Sequence, residues 1–344
     1  MPADGPAADS DRANPGPLDC CLRQGSWVQL LIARLAVLLA AAVLVSCTGA
    51  GGAAPSPTAL AAPLSGLIHI GLAHWNLTAG YGAGWVGDNV DGTVVRMDAR
   101  TGTTRRYVIG DPKAARRLPT AVLSAFGSVW ATKNDTRAVV RLDPDSGKTL
   151  ATIPVGILPE NLGSGEGSVW VDSYEDTRLV RIDPTTNRVA GSFDIVGGAE
   201  GVTAFAGSAW IVGNSAGALV RLDLATGLIT ARIPVAPAPE GLIAAFGSLW
   251  VASQRFASVT RIDPVTNSVI ATLHLAANQT PLGLATDGHY IYAGGVSRID
   301  PATNQIAGSL LVPDAFGGVA YGDGVLWVTT INGVYRVLPD GLRP

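Results

Sequence analysis

Four stretches, Gly127-Ser128-Val129-Trp130, Gly167-Ser168-Val169-Trp170, Gly207-Ser208-Ala209-Trp210 and Gly247-Ser248-Leu249-Trp250, stand 40 residues apart. Thirteen residues after each Trp comes an Asp: Asp143, Asp183, Asp223 and Asp263. A spacing held at two places in every unit marks an array of one repeated supersecondary unit, and this constrains the chain more than any other feature. Four strands of about 6 residues and four turns of about 4 fill about 40 residues. That is the size of one propeller blade.

Three further units share the register. Gly82-Ala83-Gly84-Trp85 with Arg96-Met97-Asp98 precedes the four perfect copies, and a longer excursion, residues 110 to 119, follows it. After them come Gly288-His289-Tyr290-Ile291 with Arg298-Ile299-Asp300-Pro301, then Gly324-Val325-Leu326-Trp327 with Tyr335-Arg336-Val337. The expected fold is therefore an all-β, seven-bladed β-propeller. In the fifth unit, strand A is expected at Glu240 to Ala245, B at Ser248 to Ser253, C at Ser258 to Asp263 and D at Ser268 to Leu275. A and B read apolar nearly throughout, as strands covered on both faces do, whereas C alternates with period 2. The Trp on strand B reads as a wedge between blades, and only the sixth unit lacks it, having Ile291 between Tyr290 and Tyr292. The last unit stops after strand C. Leu67 to Gly71 matches the D-strand pattern Thr152 to Gly156, so the N-terminal strand is expected to complete the last blade and close the ring.

The recurrent Arg-Ile/Leu-Asp-Pro-x-Thr/Ser-Asn/Gly reads as a hairpin turn. Asp accepts a local backbone N–H, Pro fixes φ, and Gly or Asn takes the left-handed position. Seven copies of the preceding Arg, Arg96 to Arg336, call for turn or inter-blade pairing, since seven identical catalytic groups make no sense. With 42 Gly and 22 Pro at regular spacing, the composition suits a turn-rich β protein. A net charge of -3 and the lack of a basic stripe with interleaved aromatics give no sign of nucleic-acid binding. All three cysteines, Cys20, Cys21 and Cys47, lie in the first 50 residues, so the repeats have neither disulfides nor thiolate metal sites.

Residues 35 to 46 are an apolar run of 12 preceded by Arg23 and Arg34. About 20 residues are needed to span a membrane, so the run fits the h-region of a secretory signal; a retained anchor helix is the alternative. Leu44-Val45-Ser46-Cys47 resembles a bacterial lipobox. That resemblance implies cleavage before Cys47, lipidation of its thiol and an extracytoplasmic, membrane-anchored protein, or a secreted one if the anchor is absent. The acidic stretch before Arg23 is long for a signal n-region, as a start codon placed too far upstream would make it. The expected organisation is a signal over 1–47, a Gly/Ala/Pro tether over 48–63 and the propeller over 64–344.

Gly-Ser-Val-Trp-Val, Arg-Ile-Asp-Pro-x-Thr-Asn and the run from Ile233-Pro234-Val235 through Leu242 resemble the bacterial extracytoplasmic YVTN-type β-propeller repeats. The superfamily includes the streptogramin (virginiamycin B) lyases. The resemblance covers residues 64 to 338 and implies the fold. It implies little about activity, because the shared residues are those of turns and wedges.

In such a ring the D-to-A and B-to-C loops share the face at the channel mouth. Glu160, Glu200 and Glu240 begin three consecutive inner strands in one register and form an acidic arc. Trp75, Thr120, Leu282 and Gly317 hold the corresponding places elsewhere. Either each Glu stabilises its own turn or the arc receives a cation or an amine-bearing ligand. No resident cofactor is expected, but oxygen ligands of this kind would suit a divalent cation such as Ca²⁺. The B-to-C loops add Lys133, Asn134 and Asp135; Tyr174, Glu175 and Asp176; Asn214; and Gln254, Arg255 and Phe256, which vary on a fixed frame as binding loops do. Lys133 and Arg255 are candidate partners of the glutamates. A metal-assisted lyase would need a base at the mouth, and His74 alone of the four histidines is placed for it. No nucleophile elbow, phosphate loop or Cys/His ligand spacing is present. The sequence thus favours a monomeric binding module for a protein, peptide or small molecule, with a lyase-like or lactonase-like enzyme using the same mouth as the alternative.

Overall fold

The structure is a computed structural model describing residues 64, 66–70, 76–88, 90–111, 121–195, 198–213, 217–276 and 279–338. Strand β1 (Ile68–His69) comes first. Blade one then holds β2 (Leu77–Gly80), β3 (Ala83–Asp88), β4 (Thr93–Asp98) and β5 (Thr104–Val108). Blade two holds β6 (Val122–Ala125), β7 (Ser128–Lys133), β8 (Ala138–Leu142) and β9 (Thr149–Pro154). Blade three holds β10 (Asn161–Gly165), β11 (Ser168–Asp172), β12 (Arg178–Asp183) and β13 (Arg188–Asp194). Blade four holds β14 (Ala199–Phe205), β15 (Ser208–Gly213), β16 (Ala218–Asp223) and β17 (Ile229–Pro234). Blade five holds β18 (Pro239–Ala245), β19 (Ser248–Ser253), β20 (Ser258–Asp263) and β21 (Ser268–His274). Blade six holds β22 (Leu284–Thr286), β23 (Ile291–Ala293), β24 (Ser297–Asp300) and β25 (Gln305–Ser309), and blade seven β26 (Ala315–Gly322), β27 (Val325–Thr330) and β28 (Gly333–Val337).

Each blade is a four-stranded antiparallel sheet, and the first strands β2, β6, β10, β14, β18, β22 and β26 touch one another in a closed cycle. Blade seven takes its outermost strand from the other end of the chain. β1 pairs with β28 through Ile68 opposite Val334 and His69 opposite Gly333, and Leu64 bridges to Val337. The ring is thus a seven-bladed propeller closed by the N-terminal strand, as the sequence leads one to expect.

The recurring residues join each blade to the next. Trp130 is fully buried among Val169, Val171 and Ile182 of the following blade, and Trp327 among Val86, Val95 and Met97 of blade one. The indole N–H of Trp130, Trp170 and Trp210 donates to the carbonyl five residues earlier at 3.0–3.1 Å, so the ring is buried without an orphaned donor. Arg141 lies over the Trp130 ring at 5.0 Å and donates through Nε to Ser128 at 2.8 Å. Its Nη1 crosses to the turn of blade three, reaching the Pro184 carbonyl at 2.6 Å and the Asn187 side chain at 2.8 Å. Arg221 and Arg261 repeat the same clasp. In the turn itself, Asp183 accepts the amides of Thr185 and Thr186, and Asn187 has φ 56°. Ser, Trp, Arg, Asp and Asn of the repeat are therefore structural.

Blade six corrects the sequence register. Tyr292, not Ile291, stands opposite Arg298, the place that Trp250 holds opposite Arg261. Four residues separate β22 from β23, against two between β18 and β19, so the aligned position slips by one. A slip of one residue sends the side chain to the other sheet face. Ile291 accordingly packs with Trp250, while Tyr292 stacks on Tyr321 of blade seven at 6.4 Å. The Tyr292 hydroxyl donates to Asp287, again five residues back, at 2.9 Å.

Candidate functional site

Strands run outward from the channel, so the D-to-A and B-to-C connections fall on one face and the A-to-B and C-to-D turns on the other. Glu160 immediately precedes β10, and Glu200 and Glu240 are the second residues of β14 and β18. The last two sit at bulges. Ala199 pairs with Gly213 and Gly201 with Val212, leaving Glu200 as the extra residue, and the same holds for Glu240 between Pro239 and Gly241. A bulge re-aims the side chain it carries. The glycine that follows has its own reason. A Cβ at Gly201 would lie 2.8 Å from the Glu240 carbonyl, and one at Gly241 2.9 Å from the Leu282 carbonyl. The innermost strands of neighbouring blades crowd together here, and this closeness brings Glu200 and Glu240 within each other's field.

A fourth carboxylate, which sequence reasoning missed, joins them. Asp172 ends β11 opposite Asn161 and is 0% exposed. Residues two apart on a strand share a face, and Trp170 packs against blade four, so Asp172 also faces that blade. Asn161 donates its side-chain amide to Asp172 Oδ1 at 2.8 Å, whereas Oδ2 is buried without a hydrogen-bond partner. Burial, then the charges of Glu200 and Glu160, push the Asp172 carboxyl up to about 7 against the pull of Asn161. Burial and Glu200 push Glu240 up to about 8. Burial also raises Glu160, opposed by the Tyr174 amide and reinforced by Glu175. The signal for Asp172 was present in the sequence. The matching places two residues after Trp85, Trp130, Trp210 and Trp250 carry Gly87, Thr132, Val212 and Ala252, so a carboxylate there breaks the repeat.

Glu160 accepts hydrogen bonds from the Tyr174 backbone amide and, at 3.3 Å, from Ser173. This places the Tyr174 loop beside the arc, with its side chain 49% exposed. Asn134–Thr136 and Gln254–Phe256 form single 3-10 turns in the loops of blades two and five, and Phe256 is 51% exposed. Lys133 does not serve the glutamates as expected. Its ammonium is 2.6 Å from Asp135 of the same loop. Arg255 is exposed and forms no ion pair with a described residue.

Asp88, the buried carboxylate at the end of β3, offers a contrast. Arg106 meets it at 2.7 Å, whereas neither Asp172 nor Glu240 has a cationic partner among the described residues. No three carboxylate or imidazole groups among the described residues converge closely enough to hold a metal ion. His69 and His274 lie on the outermost strands of their blades, and His289 in an A-to-B turn on the opposite face. His74, Trp75, Thr120, Asn214 and Cys47 lie outside the described residues. What the arrangement can do chemically is attract and hold positive charge at the mouth of the ring.

Fold and site together define a seven-bladed propeller with acidic groups gathered at the inner ends of three consecutive blades. Among solved structures, the chain is similar to hydrazine synthase from Kuenenia stuttgartiensis, with 14% identity and a TM-score of 0.62, over 84% of this chain and 99% of that one. It is also similar to a chain in the crystal structure of a mitotic checkpoint complex, with 12% identity and a TM-score of 0.66, over 87% and 98%. Likeness at that identity concerns the fold alone. No protein-family model and no curated protein matches the sequence.

Proposed function

We propose that the chain is a lipid-anchored extracytoplasmic propeller of the YVTN-repeat type, acting as a monomeric binding module through its channel-mouth face. The observation that carries this reading is the shared register of Glu160, Glu200 and Glu240 on three adjacent blades, backed by the buried Asp172. Carboxylates kept close against their mutual repulsion lower the stability of the empty protein, and a bound cation relieves it. Tyr174, Arg255 and Phe256 supply exposed, variable groups around that centre. No described residue favours the lyase reading, which rests on His74.

The test is a thermal-shift screen of the mature domain against amines, divalent cations, sugars and peptides, repeated with Glu240→Gln. Amines are expected to raise the melting temperature of the wild type and to do so less in the variant. An equal shift in both proteins, or none with any cation, would contradict the reading. Anchoring is tested by membrane fractionation, where unchanged partition and processing of Cys47→Ser would exclude lipidation at that thiol.

A further inference from the structure

Two features at the mouth remain unexplained by a general affinity for cations. Asp172 keeps a carboxylate oxygen fully buried with no partner, although burying such a group uncompensated is costly. The same protein satisfies its other buried mouth-side carboxylate, Asp88, with Arg106. Among the described residues, the groups that face Asp172 include Glu160 and Asn161 from the adjoining inner strand of its own blade and Glu200 from blade four, with Glu175 and Tyr174 beside Glu160. Carboxyl groups therefore continue from Asp172 through Glu200 to Glu240 across three blades, and no three of the described carboxyl groups meet at a point. A compact metal ion requires oxygens drawn in to about 2.3–2.6 Å around one centre. Carboxylates strung along an arc match positive charges strung along a chain.

We propose that the mouth takes a linear di- or polyamine, its ammonium groups spread along Glu160, Glu200 and Glu240, and that Asp172 behind them gives up a proton as the amine arrives. The inference rests on the mouth being a binding site, and adds the ligand class and a proton exchange. Each ammonium adds a positive charge within reach of the buried carboxyl, favouring its ionised form. The O–H bond of Asp172 breaks, the electron pair stays on the carboxylate and the proton passes to buffer. Tyr174, half-exposed beside Glu160, offers an aromatic face to the methylene chain.

Calorimetry with putrescine tests this near neutral pH, in two buffers of different ionisation enthalpy, because the difference in heat counts the protons released. Wild type is expected to release protons on binding, and Asp172→Asn to release fewer and to bind roughly tenfold more weakly. Putrescine stays doubly charged between pH 6 and 8, so wild-type affinity should also rise across that range. Binding without proton release, release equal in both proteins, or a flat pH profile would overturn the role of Asp172 while leaving the mouth a binding site. Absence of putrescine binding, where another cation raises the melting temperature in the thermal screen, would overturn the polyamine class. Absence of any mouth ligand would instead remove the reading beneath it. Should Asp172→Asn not fold, Glu240→Gln decides, because Glu240 is the other carboxyl held up near neutral pH: proton release that persists in that variant supports Asp172, and its disappearance there would overturn the role of Asp172.

Discussion

Asp172 and Asp98 show how one residue type is driven in opposite directions by its place in a blade. At the exposed C-to-D turn, the Thr101 amide and hydroxyl hold Asp98 down to about 2, and Asp143, Asp183, Asp223, Asp263 and Asp300 are lowered by local bonds of the same kind. These turns gain stability above the ordinary carboxylate range and lose it as pH falls through the lowered values. For Asp172 the sign reverses. Its folded-state value of about 7 lies above the unfolded one, so the folded chain binds more protons between roughly pH 4 and 7. Stability falls across that window by up to about 1.4 kcal/mol per pH unit for this group and is lowest above it. Asp172→Asn is therefore expected to be more stable than wild type at pH 8 and to flatten the slope of stability between pH 5 and 8. Denaturant unfolding at several pH values measures both, and a variant less stable at pH 8 would contradict the uncompensated state of this carboxyl. The sequence exposed Glu160, Glu200 and Glu240 through their spacing, but Asp172 only to a comparison of one buried register across the copies.

The strand is the scale at which the sequence was most legible. A 40-residue period, alternation in strand C and turn residues at fixed offsets locate blade five to within a residue or so of the strands found. Period and spacing fail where an insertion intervenes, as in the turn between β22 and β23, since neither specifies which face a short strand presents. The inter-blade clasp was legible as residues and not as a contact. Arg141 meets Asn187 across 46 positions, a distance only the ring explains. Removing its central wedge should be costly. Trp210→Ala empties a fully buried site between blades four and five, and a loss of about 3–5 kcal/mol is expected by chemical denaturation. A change below about 1 kcal/mol would show that the indole is not the wedge.

Closure of the ring is what turns three separate inner strands into one site. β10, β14 and β18 belong to three different sheets, yet their contact at the channel brings carboxylates 40 residues apart into mutual range. No local sequence rule gives such a field, because its strength depends on burial and on the approach permitted by Gly201 and Gly241. That the carboxylates of blades three, four and five act as one electrostatic unit is the central claim, and NMR titration of the side-chain carboxyl carbons tests it most directly. Wild type should show Asp172 and Glu240 titrating near 7 and 8, and Glu200→Gln, which removes the charge between them, should lower both midpoints. Midpoints unchanged in Glu200→Gln, or ordinary in the wild type, would mean that the three blades present independent side chains and no shared site.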